Sequence, residues 1–173
     1  MANAQNIKAN LNYAMLTANS IDGGDTLIDA SYAPVHVNTW NNGVLKVNYV
    51  EDCRLNAVKT LELIANSSDV NINEITQNAM LSGSFGNLFI SKIHPSFTSL
   101  DIVLENTDAA IDMPNAPFDF LFLGKKSNLK RPQSLQVTSN NGSSKTMLKG
   151  FHQSKTSGKT ITISADYSNV SFQ

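Results

Sequence analysis

Apolar residues along this chain come in short alternating pairs separated by polar turns, and the pairs return roughly every 20 residues, the spacing of a repeat architecture. The clearest unit is Thr60–Ile75, TLELIANSSDVNINEI, where Leu61-x-Leu63 and Val70-x-Ile72 flank the turn Ser67-Ser68-Asp69. Aligned on Val70, a small residue and Asn or Asp precede an apolar one again in FGNLFI (Phe85–Ile90), TDAAI (Thr107–Ile111), SNLK (Ser127–Lys130) and YSNVSF (Tyr167–Phe172). Alternation with period two predicts strands with one buried side. The expected inward column is Val35, Leu55, Val70, Leu88, Ala109, Leu129, Leu148 and Val170, in steps of 20, 15, 18, 21, 20, 19 and 22 residues, with Leu148 placed mainly by spacing. A second pair stands nine residues upstream of several anchors: Leu61 and Leu63, Leu100 and Ile102, Phe120 and Phe122, Ile161 and Ile163.

This unit is too short for helix pairs of the ankyrin or tetratricopeptide kind, and it lacks a leucine-rich consensus. It predicts an all-β, single-domain β-solenoid with short strands and coils of about 20 residues, against an antiparallel sandwich as the other reading of short strands between turns. Residues 1–26 are read as an N-terminal strand and cap region, and 27–173 as stacked coils. Asn6–Leu16 alternates as a strand, Ser20–Asp25 (SIDGGD) and Asn41-Asn42-Gly43 are turns, and Ser139–Lys145 (SNNGSSK) is read as a protruding loop. A helix is entertained only around Val50–Leu63 and given low weight, since Leu61-x-Leu63 alternates. In a simple solenoid, sequence order is spatial order. The chain closes on its own repeat, so a free C-terminal strand edge is expected to pair two copies.

Asn, Ser and Thr dominate the polar residues while charged residues reach only 16%, which suits turns and exposed strand faces. The lone cysteine, Cys53, has no partner for a disulfide and no CxxC or nearby His, and is read as a buried thiol. No run approaches the roughly 18 apolar residues of a membrane span, so no membrane insertion is expected. Ala2-Asn3-Ala4 has the small-x-small form of a cleavage site, consistent with export.

Tyr32–Val47 (YAPVHVNTWNNGVLKV), followed by units such as LELIANSSDVNI, resembles the adhesin-type domains of uncharacterised exported proteins, mostly of Bacteroidetes. The likeness covers residues 27–173, with Trp40 and Asp69-Val70-x-Ile72 its most specific elements, and Ser67-Ser68 stands where the family has Gly. It implies a β-solenoid at the cell envelope or outside it, without catalytic residues.

The sequence carries little that reads as chemistry. His36, His94 and His152 lack metal-ligand spacing and are read as isolated surface residues; no metal or other cofactor is expected. Gly83-Ser84-Phe85-Gly86 is read as a tight turn between coils. Asp108 and Asp112 lack an accompanying base, and one Thr160-x-Thr162 makes no threonine row. Charge is more telling: residues 1–120 hold 5 Lys and Arg against 13 Asp and Glu, and residues 121–173 hold 8 against 1. A basic end is therefore expected, with Lys125, Lys126, Lys130, Arg131, Lys145 and Lys149 as a patch for an anionic partner. Nucleic acid is disfavoured by a pI near 6.3 and by the absence of aromatics among these lysines. The expected function is a non-enzymatic, exported surface or envelope protein that adheres or scaffolds through a glycan or protein. The alternative is a carbohydrate-active β-helix enzyme, either polysaccharide lyase or hydrolase.

Overall fold

The computed structural model describes residues 3–141 and 145–173. Ala2 of the cleavage-like triplet and residues 142–144 of the expected loop lie outside the described residues. The chain is a β-solenoid with 70% of its residues in strands and about 19 residues per turn. Its strands are β1 (Asn3–Gln5), β2 (Lys8–Asn12), β3 (Leu16–Asp22), β4 (Leu27–Ser31), β5 (Val35–Trp40), β6 (Val44–Asn48), β7 (Cys53–Asn66) and β8 (Asp69–Ile90). They continue as β9 (Ser99–Ile111), β10 (Phe118–Lys125), β11 (Asn128–Lys130), β12 (Leu135–Asn141), β13 (Lys145–His152), β14 (Thr160–Asp166) and β15 (Asn169–Phe172). The stacking already includes β1 and β2, so residues before 27 supply rungs of their own. Val50–Leu63 is strand from Cys53 onward, not helix.

Each turn contributes to two parallel ladders. In the first, Leu16 pairs with Val35, Val35 with Cys53, and Cys53 with Val70. The column resumes in Leu88, which pairs with Ala109, and Ala109 with Val170. Cys53, not Leu55, therefore holds the anchor position, and the uneven steps of 20 and 15 become 18 and 17. Leu55 fills the next inward column, between Val37 and Ile72. In the second ladder Leu61, Ala79, Leu100, Ile161 and Phe120 stack in register, as do Leu63, Leu81, Ile102, Ile163 and Phe122. All of these side chains are buried, and each full burial of a Leu or Ile is worth about 1.5–3 kcal/mol, so the columns stabilise the stack collectively. Trp40 is fully buried between Ile21 and Val58, and its indole N–H meets no acceptor.

Sequence order is not spatial order at the C-terminal end. After β9 the chain skips one level, builds β10 and β11, adds the antiparallel strands β13 and β12, and then returns. The return fills the skipped level: β14 pairs with β9 on one side and β10 on the other, and β15 lies between β9 and β11. Val170 thus sits between Ala109 and Leu129. The expected free edge of the last strand does not exist, because β15 is paired on both sides, and dimerisation through it loses its basis. Leu148 lies on β13, outside the anchor column. Residues 139–141 and 145 of the expected loop are strand. Phe97, Phe118 and Phe172 close this end of the core, Phe118 meeting each of the others edge-on at 6.2 Å.

Both ladders end at a recurrent corner. Tyr13, Tyr32, Tyr49, Ser67, Phe85, Asn106, Tyr167 and Lys126 each have φ between 47° and 56° and follow directly on residues paired rung to rung. A left-handed residue lets the chain turn from one ladder to the next. Just past this corner the chain folds under, which favours small or hydroxyl residues. Ser68, Thr107, Ser127 and Ser168 each donate to the carbonyl two residues back. Three of these hydroxyls also accept an N–H of the adjoining rung, Ser68 from Val50, Ser168 from Thr107 and Ser127 from Ser168.

Candidate functional site

The outer side of the first ladder carries an amide ladder. Asn73 donates to Asn56 at 2.9 Å, Asn56 to Asn38 at 3.0 Å, Asn38 to Asn19 at 3.3 Å and Asn19 to Asn3 at 3.3 Å. Asn19, Asn38, Asn56 and Asn73 are each exposed directly after a buried residue of the first ladder, and a spacing of 16 to 19 residues places one on each rung. An amide has two N–H donors and two acceptor lone pairs. With one of each used along the ladder, every inner rung still offers a donor and an acceptor to an outside molecule.

A second outward column runs alongside, through Thr17, His36, Arg54 and Asn71. Between the two columns lies a shallow groove of about 480 Å³, lined by His36, Arg54 and Asn71 on one wall and Asn38, Asn56 and Asn73 on the other. Asp52, on the turn before β7, gathers the charged residues of this wall. Its carboxylate binds His36 Nε2 at 2.9 Å and Arg54 Nε at 2.6 Å. The hydrogen bond from His36 acts most strongly on Asp52 and, helped by the charge of Arg54, outweighs the upward push of desolvation, so the carboxylate is held below its usual range. Only Arg54 Nε faces Asp52, so its remaining N–H groups are directed to the groove or solvent.

The sequence-based candidates are divided rather than gathered. Lys125 and Lys126 lie at the corner, with Nζ at 5.7 Å and 5.2 Å from the Tyr167 ring centre, and Lys125 also pairs with Asp166 at 3.4 Å. Lys145 is opposite Lys125 in register, and Lys149 is opposite Leu121 farther along the same strands. Lys130 belongs to the other ladder, next to Ser171. Arg131 donates to the Leu135 carbonyl at 2.9 Å and serves the turn. The end of the solenoid is basic, but the six side chains form no single cleft.

The histidines are not all isolated surface groups. His36 has a carboxylate partner one turn away, and His152 is buried against Phe118 at 5.4 Å. Cys53 is buried as expected, and its burial pushes the thiol up to about 12. Asp69, Asn87, Asp108, Asn169 and Asn128 are strand residues just past the corner rather than turn residues, and form a polar ladder in which Asn87 donates to Asp69 at 2.7 Å and Asn169 to Asp108 at 3.0 Å. The sequence reading missed the Asn3-to-Asn73 ladder. Its signal was the one that located the anchors, applied to the polar positions.

Comparison of the chain with protein-family models, with curated proteins and with solved structures finds no match.

Proposed function

We propose that this protein is a non-enzymatic, exported surface or envelope scaffold that binds an extended glycan along the groove of the first ladder. The amide ladder carries this reading. Its free donors and acceptors recur with the rungs, about 4.8 Å apart, which is close to the length of one sugar residue in an extended polysaccharide. A rigid surface with preset polar groups loses little entropy when a ligand settles on it. Arg54, whose guanidinium is shared with Asp52, adds one cationic group to the groove wall, and a carboxylate of an acidic glycan fits beside it.

The experiment is a glycan array at low and high salt, comparing the protein with Asn38→Ala and Asn56→Ala. Binding to extended acidic glycans that weakens in both variants and in salt is the expected result. Equal binding by wild type and variants would remove the groove from the function. The His36–Asp52 pair favours a second reading, the carbohydrate-active enzyme, since it resembles the oriented base of a hydrolytic site. New reducing or unsaturated ends appearing in the bound glycan, and vanishing in His36→Gln, would replace the scaffold with that enzyme.

A further inference from the structure

The left-handed corner holds a pattern that the monomer does not explain. Left-handed backbone costs an L residue roughly 1–2 kcal/mol and is best tolerated by Gly and Asn, yet five of the eight corner positions here are Tyr or Phe. In part of the column the rings compensate one another: Tyr13, Tyr32 and Tyr49 stack with centres 5.0 Å apart and planes within 7°. Tyr167 has Lys125 and Lys126 over its ring. Phe85 has neither. It is 59% exposed, and the corner residues on the rungs either side of it are Ser67 and Asn106.

Read in spatial order from Tyr49, the corner runs Tyr49, Ser67, Phe85, Asn106, Tyr167, Lys126: ring, gap, ring, gap, ring, cation. Reversed, the same list places a gap or a cation opposite every ring. We propose that two copies of this chain associate through this corner, antiparallel about a two-fold axis, with the rings of each filling the gaps of the other.

In that register the partner's Tyr167 enters at Ser67 and the partner's Phe85 enters at Asn106, while Tyr49 meets the partner's Lys126. The two-fold passes between Phe85 and the partner's Phe85. Each gap is one ring wide, since successive rungs elsewhere in this column hold rings at 5.0 Å. The existing stack of three tyrosines then continues across the interface as one column. Phe85 gains a ring on either face, which is the compensation it lacks alone.

The flanking columns agree. A two-fold of this kind sets each column against its own copy, reversed. On the second-ladder side, Asn48 faces the partner's Lys125, Asn66 the partner's Asp166, and Ser84 the partner's Glu105. On the other side, Glu51 faces the partner's Asn128, Asp69 the partner's Asn169, and Asn87 the partner's Asp108. No like charges oppose each other, although this strip contains five acidic residues and two lysines, and every carboxylate meets an amide or a hydroxyl. The strip of six rungs is about 24 Å long and narrow. It falls short of the roughly 800 Å² per partner of a stable standard interface, so the pair is a weak, concentration-dependent dimer.

The test uses the whole protein. Sedimentation velocity over a dilution series is expected to show a monomer–dimer equilibrium in the micromolar to millimolar range. The double variant Ser67→Tyr, Asn106→Tyr fills both gaps from within, at a corner that already accepts Tyr on four rungs, and is expected to stay folded and monomeric. A second double variant, Ser67→Cys with Tyr167→Cys, is expected to give a covalent dimer with a bimane cross-linker, which bridges the ring-filled gap that a direct disulfide cannot span. Its two sites are three rungs apart in one copy, about 14 Å, too far to join within a chain. A protein monomeric at the highest concentration, a dimer that survives filling of the gaps, or the absence of a 67-to-167 cross-link would each overturn the proposal.

Discussion

Val170 lies in register on Ala109, 61 residues earlier in the chain, and occupies the level that sequence order assigns to Leu129. The last strand pair is therefore an interior rung, held by backbone hydrogen bonds from both sides, and Met113 N–H closes on the carbonyl of Gln173 at 2.6 Å. The C-terminal segment completes the core rather than extending it.

This placement makes the inserted rung more costly to damage than the rung beyond it. Ile163 is fully buried between Ile102 and Phe122, whereas Leu129 is only partly buried. Ile163→Ala is expected to cost about 2–5 kcal/mol, and Leu129→Ala clearly less, in urea unfolding followed by circular dichroism. Equal costs, or a larger one at Leu129, would contradict an interior C-terminal rung.

Asp52 sets an acid limit on local stability. Its folded pKa lies below the ordinary carboxylate value, mainly through the His36 hydrogen bond. A depressed carboxylate contributes stability that is fully present above its unfolded pKa and is lost as pH falls through the folded one. Between pH 5 and 2, Asp52→Asn should flatten the acid limb of the stability profile. An acid limb of unchanged slope in the variant, measured by thermal melts across that range, would show that the trio is unimportant to folding.

Cys53 is fully buried and its thiol is raised to about 12. Ellman's reagent at pH 8 should leave the native protein unmodified and titrate one thiol after unfolding. The same shift predicts that the thiol favours unfolding only at alkaline pH, because the unfolded thiol ionises at its ordinary value while the folded one stays neutral. Rapid native labelling would mean that the rung around Cys53 opens readily.

Gly86 stands at a close approach between rungs. A methyl group there would come within 2.1 Å of the Ser68 carbonyl oxygen, which is backbone and cannot swing aside. Gly86→Ala should destabilise by at least about 2 kcal/mol, while Gly158→Ala, which meets nothing within 4 Å, should lose only what its positive φ costs. A thermal shift no larger at Gly86 than at Gly158 would refute the close contact.

Much of this was readable in the chain. Val70, Leu88 and Ala109 were assigned to one column because a buried strand must alternate and a stacked coil must repeat, and both demands act on neighbouring residues. The same logic makes Asp69, Asn87 and Asp108 equivalent positions, although they are strand residues just past the corner and not turn residues. It also contains the Asn3-to-Asn73 ladder, but one exposed Asn per repeat stands out from the many other outward Asn, Ser and Thr only once the register is known. Cys53 was missed as an anchor because Leu55, two residues on, satisfies the same alternation with a more familiar side chain.

By itself the sequence determined the solenoid, its repeat and the identity of most inward residues. The order of the last rungs was decided only in three dimensions. SNLK and YSNVSF carry the same turn chemistry and the same inward residue type, so either can occupy either level at similar local cost. The choice falls to what is not local: the skipped level after β9, the β12–β13 pair, and the packing of Phe172 against Phe118 across the end of the core. The alignment of rings and gaps along the corner follows from that order, since only with Tyr167 placed before Lys126 does the column alternate.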